Sequence, residues 1–307
     1  MNETPDQQTR SPGSLAELLD VSPRTAPTSA DIHTPHEQLF FQGLKPQGGH
    51  GRVFGGLVIG QALAAASKTV TTTKAIHSLH AYFMRAGDST LPIHYEVHND
   101  RDGQSFSTRR VLAYQKDKPI LSLTASFHTP ESGLNHQYTM PDVPAPDRLL
   151  NNHQLADRHA DKISDTLMKI LKRKLPIETR PVDQGIPFYN KEADTQHAVW
   201  FRSRQALGDN PIIHRAALAF ASDMGLLSTC MRPHKLTWHT PNLQSASLDH
   251  ALWFHEPFIQ ADDWMLYVMD TPWSGGARGF NRGSIYDQKG KLIASAAQEG
   301  LLRPTNS

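Results

Sequence analysis

The sequence predicts an α+β protein made of two tandem copies of one unit, each a long helix wrapped by a curved antiparallel sheet. Three observations carry that expectation: two long apolar helices, strand-like segments after each, and an internal repeat at a constant offset of 172 residues.

Taken in chain order, residues 1–35 read as a polar tail around one short helix, Ser14 to Leu19. The first unit, 36–130, opens on a helix from about Val53 to Val70 whose start, Arg52-Val-Phe-Gly-Gly56, is rich in glycine. Apolar alternation and turns such as Arg101-Asp-Gly103 then predict strands. Pro, Gly, Asn and Asp crowd Thr129 to Pro146, so 131–180 reads as a linker, with a polar helix over Asp161 to Lys174. The second unit, 181–307, has its helix start at Asn210-Pro211, an N-cap followed by Pro at the first helical position. The apolar run from there continues to Leu227. Both helices are apolar nearly all round, as expected of helices enclosed by other elements. In the last strands Arg110 aligns with Arg282, Tyr114 with Tyr286, Ile120 with Leu292 and Ala125 with Ala297. Upstream the offset reads as 170, from His80-Ala81 and His250-Ala251, which implies a two-residue indel. A helix inside a curved sheet, twice over, is the double hotdog architecture.

Composition narrows function. The 307 residues carry 31 Lys plus Arg against 30 Asp plus Glu, a balance without the basic footprint of a nucleic-acid or membrane-surface binder. No stretch approaches the roughly 20 apolar residues of a membrane span, and the first 24 residues lack a secretory pattern. The lone Cys230 follows an apolar run and reads as a buried structural thiol in a reducing compartment. With Thr305-Asn-Ser307 at the end instead of Ser-Lys-Leu, the cytoplasm is the default.

Several long stretches resemble one family in order. They are Arg52-Val-Phe-Gly-Gly-Leu-Val-Ile-Gly-Gln61, His77-Ser-Leu-His-Ala-Tyr-Phe-Met-Arg-Ala-Gly-Asp88 and Arg101-Asp-Gly-Gln-Ser-Phe-Ser-Thr-Arg-Arg110. In the second half they are Ala221-Ser-Asp223, Ser247-Leu-Asp-His250, Trp253-Phe-His-Glu-Pro-Phe258 and Gln298-Glu-Gly300. From about residue 36 to 303 the chain resembles the acyl-CoA thioesterase II family. The resemblance implies a double hotdog that hydrolyses fatty acyl-CoA to free acid and CoA. It also implies an active site of Asp223, Ser247 and Gln298. Ser247 stands where the family commonly has Thr, which keeps the hydroxyl, and Ala86 replaces a frequent Pro in a turn.

The same residues admit plainer readings. Asp223 falls mid-helix among apolar neighbours, where a carboxylate needs donors; it either works as a base or pairs with an Arg or a loop. Alternation along Lys291–Glu299 puts Gln298 on the face of Leu292, Ala294 and Ala296, with Glu299 pointing away. There it is either part of the site or a core amide satisfying backbone groups. Ser247 alone reads as an ordinary turn or strand serine. Their first-half counterparts, Ser126 for Gln298 and His77 for Ser247, lack the required groups, so one site per chain is expected. The Val53–Gly56 segment is a candidate for oxyanion N–H donors, with packing glycines as the alternative.

Rival chemistries have weaker footing. No Gly-x-Ser-x-Gly elbow, His-Glu-x-x-His helix or phosphate-binding glycine fingerprint occurs, so no nucleophilic serine, metal or cofactor is expected. His77, His80, His250 and His255 read as ordinary core or surface residues. Gly208-Asp-Asn-Pro-Ile-Ile-His214 partly resembles the Asp and His stretch of hotdog enoyl-CoA hydratases, which would assign Asp209 and His214; a helix start explains it equally. A non-catalytic acyl-CoA-binding protein is the other alternative. Whether double hotdogs of this chain assemble into a homo-oligomer stays open at this point.

Overall fold

A computed structural model describes residues 13–25, 38–46, 51–187 and 194–305. Most of the Met1–Arg24 polar stretch before residue 13, and residues 306–307, lie outside the described residues. The chain divides into two compact units, Met1–Glu131 with Leu207–Phe220, and Ser132–Ala206 with Ala221–Ser307.

In the first unit Ser14 caps helix α1 (Leu15–Leu19) by accepting from the Glu17 N–H. Strand β1 (Val21–Arg24) follows and pairs with β2 (Gln38–Gly43). The segment expected as a tail thus buries Leu15, Leu19 and Val21 and adds a strand. Helix α2 (Gly55–Ser67) is buried from Gly56 to Ala66 and packs on β3 (Ala75–Phe83), β4 (Ile93–Asp102), β5 (Phe106–Gln115) and β6 (Lys118–His128). The strand order is β1-β2-β4-β5-β6-β3, antiparallel throughout.

The linker carries two short helices where one was expected. Asn151 and Gln154 form a capping box on α3 (Asn152–Arg158), and Ser164 caps α4 (Asp165–Leu171). Before them Met140 and Val143 pack on a cluster of Leu149, Trp200, Leu266 and Tyr286, and the Trp200 indole donates to the Pro144 carbonyl at 2.9 Å.

The second unit contains β7 (Ile177–Pro181), β8 (Gln196–Ser203), β9 (Leu243–Ser247), β10 (Asp249–Phe254), β11 (Met265–Gly275), β12 (Arg278–Asp287) and β13 (Leu292–Pro304). Its order is β7-β8-β11-β12-β13-β10, with β9 on the far end of β13. That is the order of the first unit strand for strand, as the repeat predicts. The bounds of β12 are those of β5 displaced by 172. The offset of 170 does not survive. Leu79 opposes Ala125 and Ala251 opposes Ala297, so the strands keep 172 and no indel separates them. His80 therefore matches Leu252, and His250 matches Ser78. The shared His-Ala dipeptide was a coincidence of composition.

Helix α5 (Pro211–Ser222) is shorter than its apolar run, and most of it counts with the first unit. The Asn210 side chain accepts from the Ile212 N–H, as the cap reading requires. Gly56 and Gly60 explain the close packing of α2 on α5. A Cβ on Gly56 would lie 2.4 Å from the Phe220 carbonyl, and one on Gly60 would lie 2.9 Å from that of Ala216. Gly56 is thus a packing glycine. The helix stops because Gly225 adopts φ +82°, a left-handed conformation that ends helices. A 3-10 helix, Leu227–His234, follows, and Cys230 is buried within it against Gly279. Among the described residues no helix is long and apolar enough to cross a membrane.

Candidate active site

Asp223 is not mid-helix. It is the first residue beyond α5, in the turn that Gly225 closes. The turn points its carboxylate toward β13 and β10 within the second unit. Gln298 Nε2 donates to Asp223 Oδ1 at 2.6 Å and lies 3.1 Å from His250 Nδ1. His250 Nε2 lies 2.9 Å from Ser222 Oγ, and the Tyr267 hydroxyl donates to the Ser222 carbonyl at 2.8 Å. These side chains are all enclosed, with Asp223 8% exposed, Gln298 1% and His250 0%.

The proton positions follow from chemistry. A carboxylate only accepts, so the amide nitrogen of Gln298, not its oxygen, must face Asp223. The second amide proton then points at His250 Nδ1, which has to be a bare acceptor. The ring proton sits on Nε2 and is donated to Ser222 Oγ. Burial holds His250 neutral by lowering its pKa, against the opposing pull of the Asp223 charge. Tyr267 stays a protonated donor, because burial first and the Asp223 charge second push its pKa well up. One atom is left over. Gln298 Oε1 is a buried acceptor that meets no donor among the described residues. A buried amide elsewhere shows how such groups are usually satisfied: Gln61 donates to Leu18 and Leu44 carbonyls and its oxygen accepts from Tyr95.

Ser247 lies at the end of β9 opposite Gly300, two residues beyond Gln298 on β13. Gln298 and Gly300 share the buried face of that strand, so the register puts Ser247 on the same face, one step along. No hydrogen bond joins its hydroxyl to Asp223 or Gln298. The expected set thus splits into a bonded pair, Asp223 and Gln298, and a neighbour. Glu299 points away, as alternation predicts, and pairs with Arg278 at 2.8 Å. Leu292 leaves the predicted face, because the ladder shifts between Ile285 and Tyr286.

His250 is the member that sequence reasoning passed over. Alternation along Asp249–Phe254 places His250, Leu252 and Phe254 on the buried face, and that signal was available. Weighed only as one of several scattered histidines without a metal motif, it reads as an ordinary core residue. In the first unit the equivalent positions are filled differently. Ser126 stands at the Gln298 position and bonds His77 at 2.8 Å. Arg109, at the Asn281 position, donates to the Thr69 carbonyl and hydroxyl, the Arg101 carbonyl and the Asp102 carboxylate. Its guanidinium ties down the chain just after α2, a structural role.

The rival residues lie elsewhere. Asp209 is exposed, and His214 Nε2 bonds the Gly208 carbonyl at 2.6 Å within the helix start. Among the described residues no group of His, Cys, Asp or Glu could hold a metal ion. A cavity of about 330 Å³ opens beside Met224 and Gly225, walled by Val199, Met269 and Trp238. Its strands are β7, β8 and β11, and Met224 on its wall directly follows Asp223 in the chain.

Family models match both halves of the chain. The acyl-CoA thioesterase N-terminal domain covers residues 45–128, and the acyl-CoA thioesterase model covers 169–301. The chain belongs to the acyl-CoA thioesterase family. This thioesterase is 40% identical to human acyl-coenzyme A thioesterase 8, over 82% of the chain and 81% of the relative. It is 35% identical to acyl-CoA thioesterase 2 of Haemophilus influenzae, over 87% and 93%. Among solved structures, an acyl-CoA thioesterase II from Mycobacterium marinum superimposes with a TM-score of 0.74 at 34% identity, covering 95% of this chain and 98% of that one.

Proposed function

We propose that this thioesterase hydrolyses fatty acyl-CoA to free acid and CoA by direct water attack, with Asp223 as general base and Ser247 and Gln298 orienting the water. The observation that carries the reading is the buried Asp223–Gln298 pair, because it leaves Gln298 Oε1 as an acceptor that meets no donor among the described residues. A water can donate one proton to Asp223 and the other to that oxygen, with the Ser247 hydroxyl as a third neighbour. Held so, the water is pre-oriented, which removes entropy from the barrier.

The step then balances simply. The water oxygen bonds to the thioester carbonyl carbon as its proton passes to Asp223. The tetrahedral intermediate collapses, the C–S bond breaks, and the proton on Asp223 goes to the departing thiolate. Neutral amide and hydroxyl partners around one carboxylate suit a base, since none of them competes for the proton.

The cytoplasm is the compartment proposed, on the buried thiol of Cys230, whose pKa burial raises and whose reactivity it suppresses. A homo-oligomer of double-hotdog chains is part of the proposal, and light scattering on the eluted protein would measure it. The substrate class is tested by following thiol release across a series of acyl-CoA chain lengths. Release from at least one fatty acyl-CoA, without hydration of crotonyl-CoA, is the expected result. Crotonyl-CoA hydration without thiol release would overturn the reading.

A further inference from the structure

We infer that His250 is a positioning residue for hydrolysis: by accepting from Gln298 at Nδ1 and donating to Ser222 at Nε2, it fixes the amide so that Oε1 faces the reacting water. The inference rests on the water-attack reading above and adds a residue to which that reading gives no role.

The geometry argues for more than packing. Gln298 Nε2 sits between two acceptors, Asp223 Oδ1 at 2.6 Å and His250 Nδ1 at 3.1 Å. If Nδ1 carried the ring proton, it would oppose an amide proton across that short gap. Gln298 would then rotate or withdraw from Asp223. The amide N–H held by Asp223 therefore sets the tautomer, and at the other end of the ring Ser222 Oγ, 2.9 Å from Nε2, accepts the proton that this leaves there. Ser222 is itself anchored, because its carbonyl accepts from Tyr267, whose ring lies over Gly283 with a Cβ there only 2.1 Å away. Any side chain at 283 would displace Tyr267. The chain of contacts therefore runs from Gly283 through Tyr267, Ser222 and His250 to Gln298, with every member buried.

The titratable and charged groups near His250 are few. Asp223 Oδ1 lies 3.9 Å from Nδ1, and β13 and β11 contribute Gln298 and the Tyr267 phenol. With the amide already between them, Asp223 and His250 do not exchange a proton directly at that distance. The ring acts as a rigid acceptor, and no proton shuttle is needed.

A substitution series separates this role from plain packing. His250→Asn places an amide oxygen near the Nδ1 position and keeps the acceptor for Gln298. His250→Gln reaches the Nε2 position instead and keeps only the Ser222 contact. With the role inferred, the Asn variant retains kcat within about fivefold of wild type, while the Gln variant loses about thirtyfold, the scale of one unsatisfied buried donor. KM changes little in either, because the cluster does not hold the CoA moiety. Equal kcat values in folded Asn and Gln variants, or loss confined to KM, would overturn it. Ser222→Ala keeps the inference falsifiable should neither variant fold: it takes the Ser222 acceptor from the buried Nε2 proton, loosens the ring and lowers kcat about fivefold or more, and wild-type kcat there also overturns it. Asp223→Ala run alongside tells the two ideas apart. If that variant stays active, the water-attack reading fails; if it is inactive while Asn and Gln match, only the role of His250 fails.

Discussion

At Gln298 a period-two pattern was enough to place the side chain, because a strand offers only two faces and Ala294 and Ala296 identified the inner one. Asp223 shows the opposite case. The apolar run continues past it, and periodicity does not register that Gly225 turns left-handed and stops the helix three residues after Ser222. The carboxylate therefore sits in a turn, from which it reaches two strands. Ser247 could not be placed from sequence because its position depends on β9 pairing with the end of β13. Three outcomes belong at this scale. Gln298→Ala is expected to lower kcat by about tenfold to a hundredfold, since an orienting amide is lost while the base remains. Ser247→Thr is expected to keep near wild-type turnover, and Ser247→Ala to be clearly slower; thiol-release kinetics on purified variants check all three.

The elements were legible where one force dominates. Asn210-Pro211 announced a helix start, and Asn210 does cap it. The same start gives His214 its bond to Gly208, so His214→Ala is expected to leave kcat within a few-fold of wild type while lowering the melting temperature. The register of β3 and β10 was misread because a matching His-Ala pair outweighed the cross-strand geometry that sequence does not display. Helix packing gives a sharper test. Gly56→Ala gains about 1 kcal/mol of helix propensity but drives a Cβ to 2.4 Å from the Phe220 backbone oxygen. Overpacking of that kind costs about 1–3 kcal/mol, and backbone cannot swing aside as a side chain can. The net expectation is a lower melting temperature. Gly133→Ala, with nothing within 4 Å, serves as the control and is expected to leave it unchanged.

For the whole molecule, the duplication was the strongest sequence signal, and the two units repeat the same strand order. What the repeat could not show is that most of α5 packs with the first unit, since the two glycines of α2 that admit it are far away in sequence. Buried neutral histidines also set how stability varies with acidity. His197 is pushed down to about 4, by burial first and then by Arg232, against Asp194 and Asp183; burial lowers His250 as well. The unfolded chain takes up those protons near pH ~6.5, before the folded one does. Stability is therefore full above that pH and falls as the solution is acidified toward about 4. Urea midpoints should hold steady from neutral to mildly alkaline pH and drop across that window, and a flat or rising profile would count against the neutral assignment. The account as a whole turns on Asp223. Thiol release by folded Asp223→Ala protein, compared with wild type at saturating acyl-CoA, measures it most directly. The account predicts kcat lower by about a hundredfold or more, with KM and melting temperature little changed. Near wild-type turnover from that variant would contradict it.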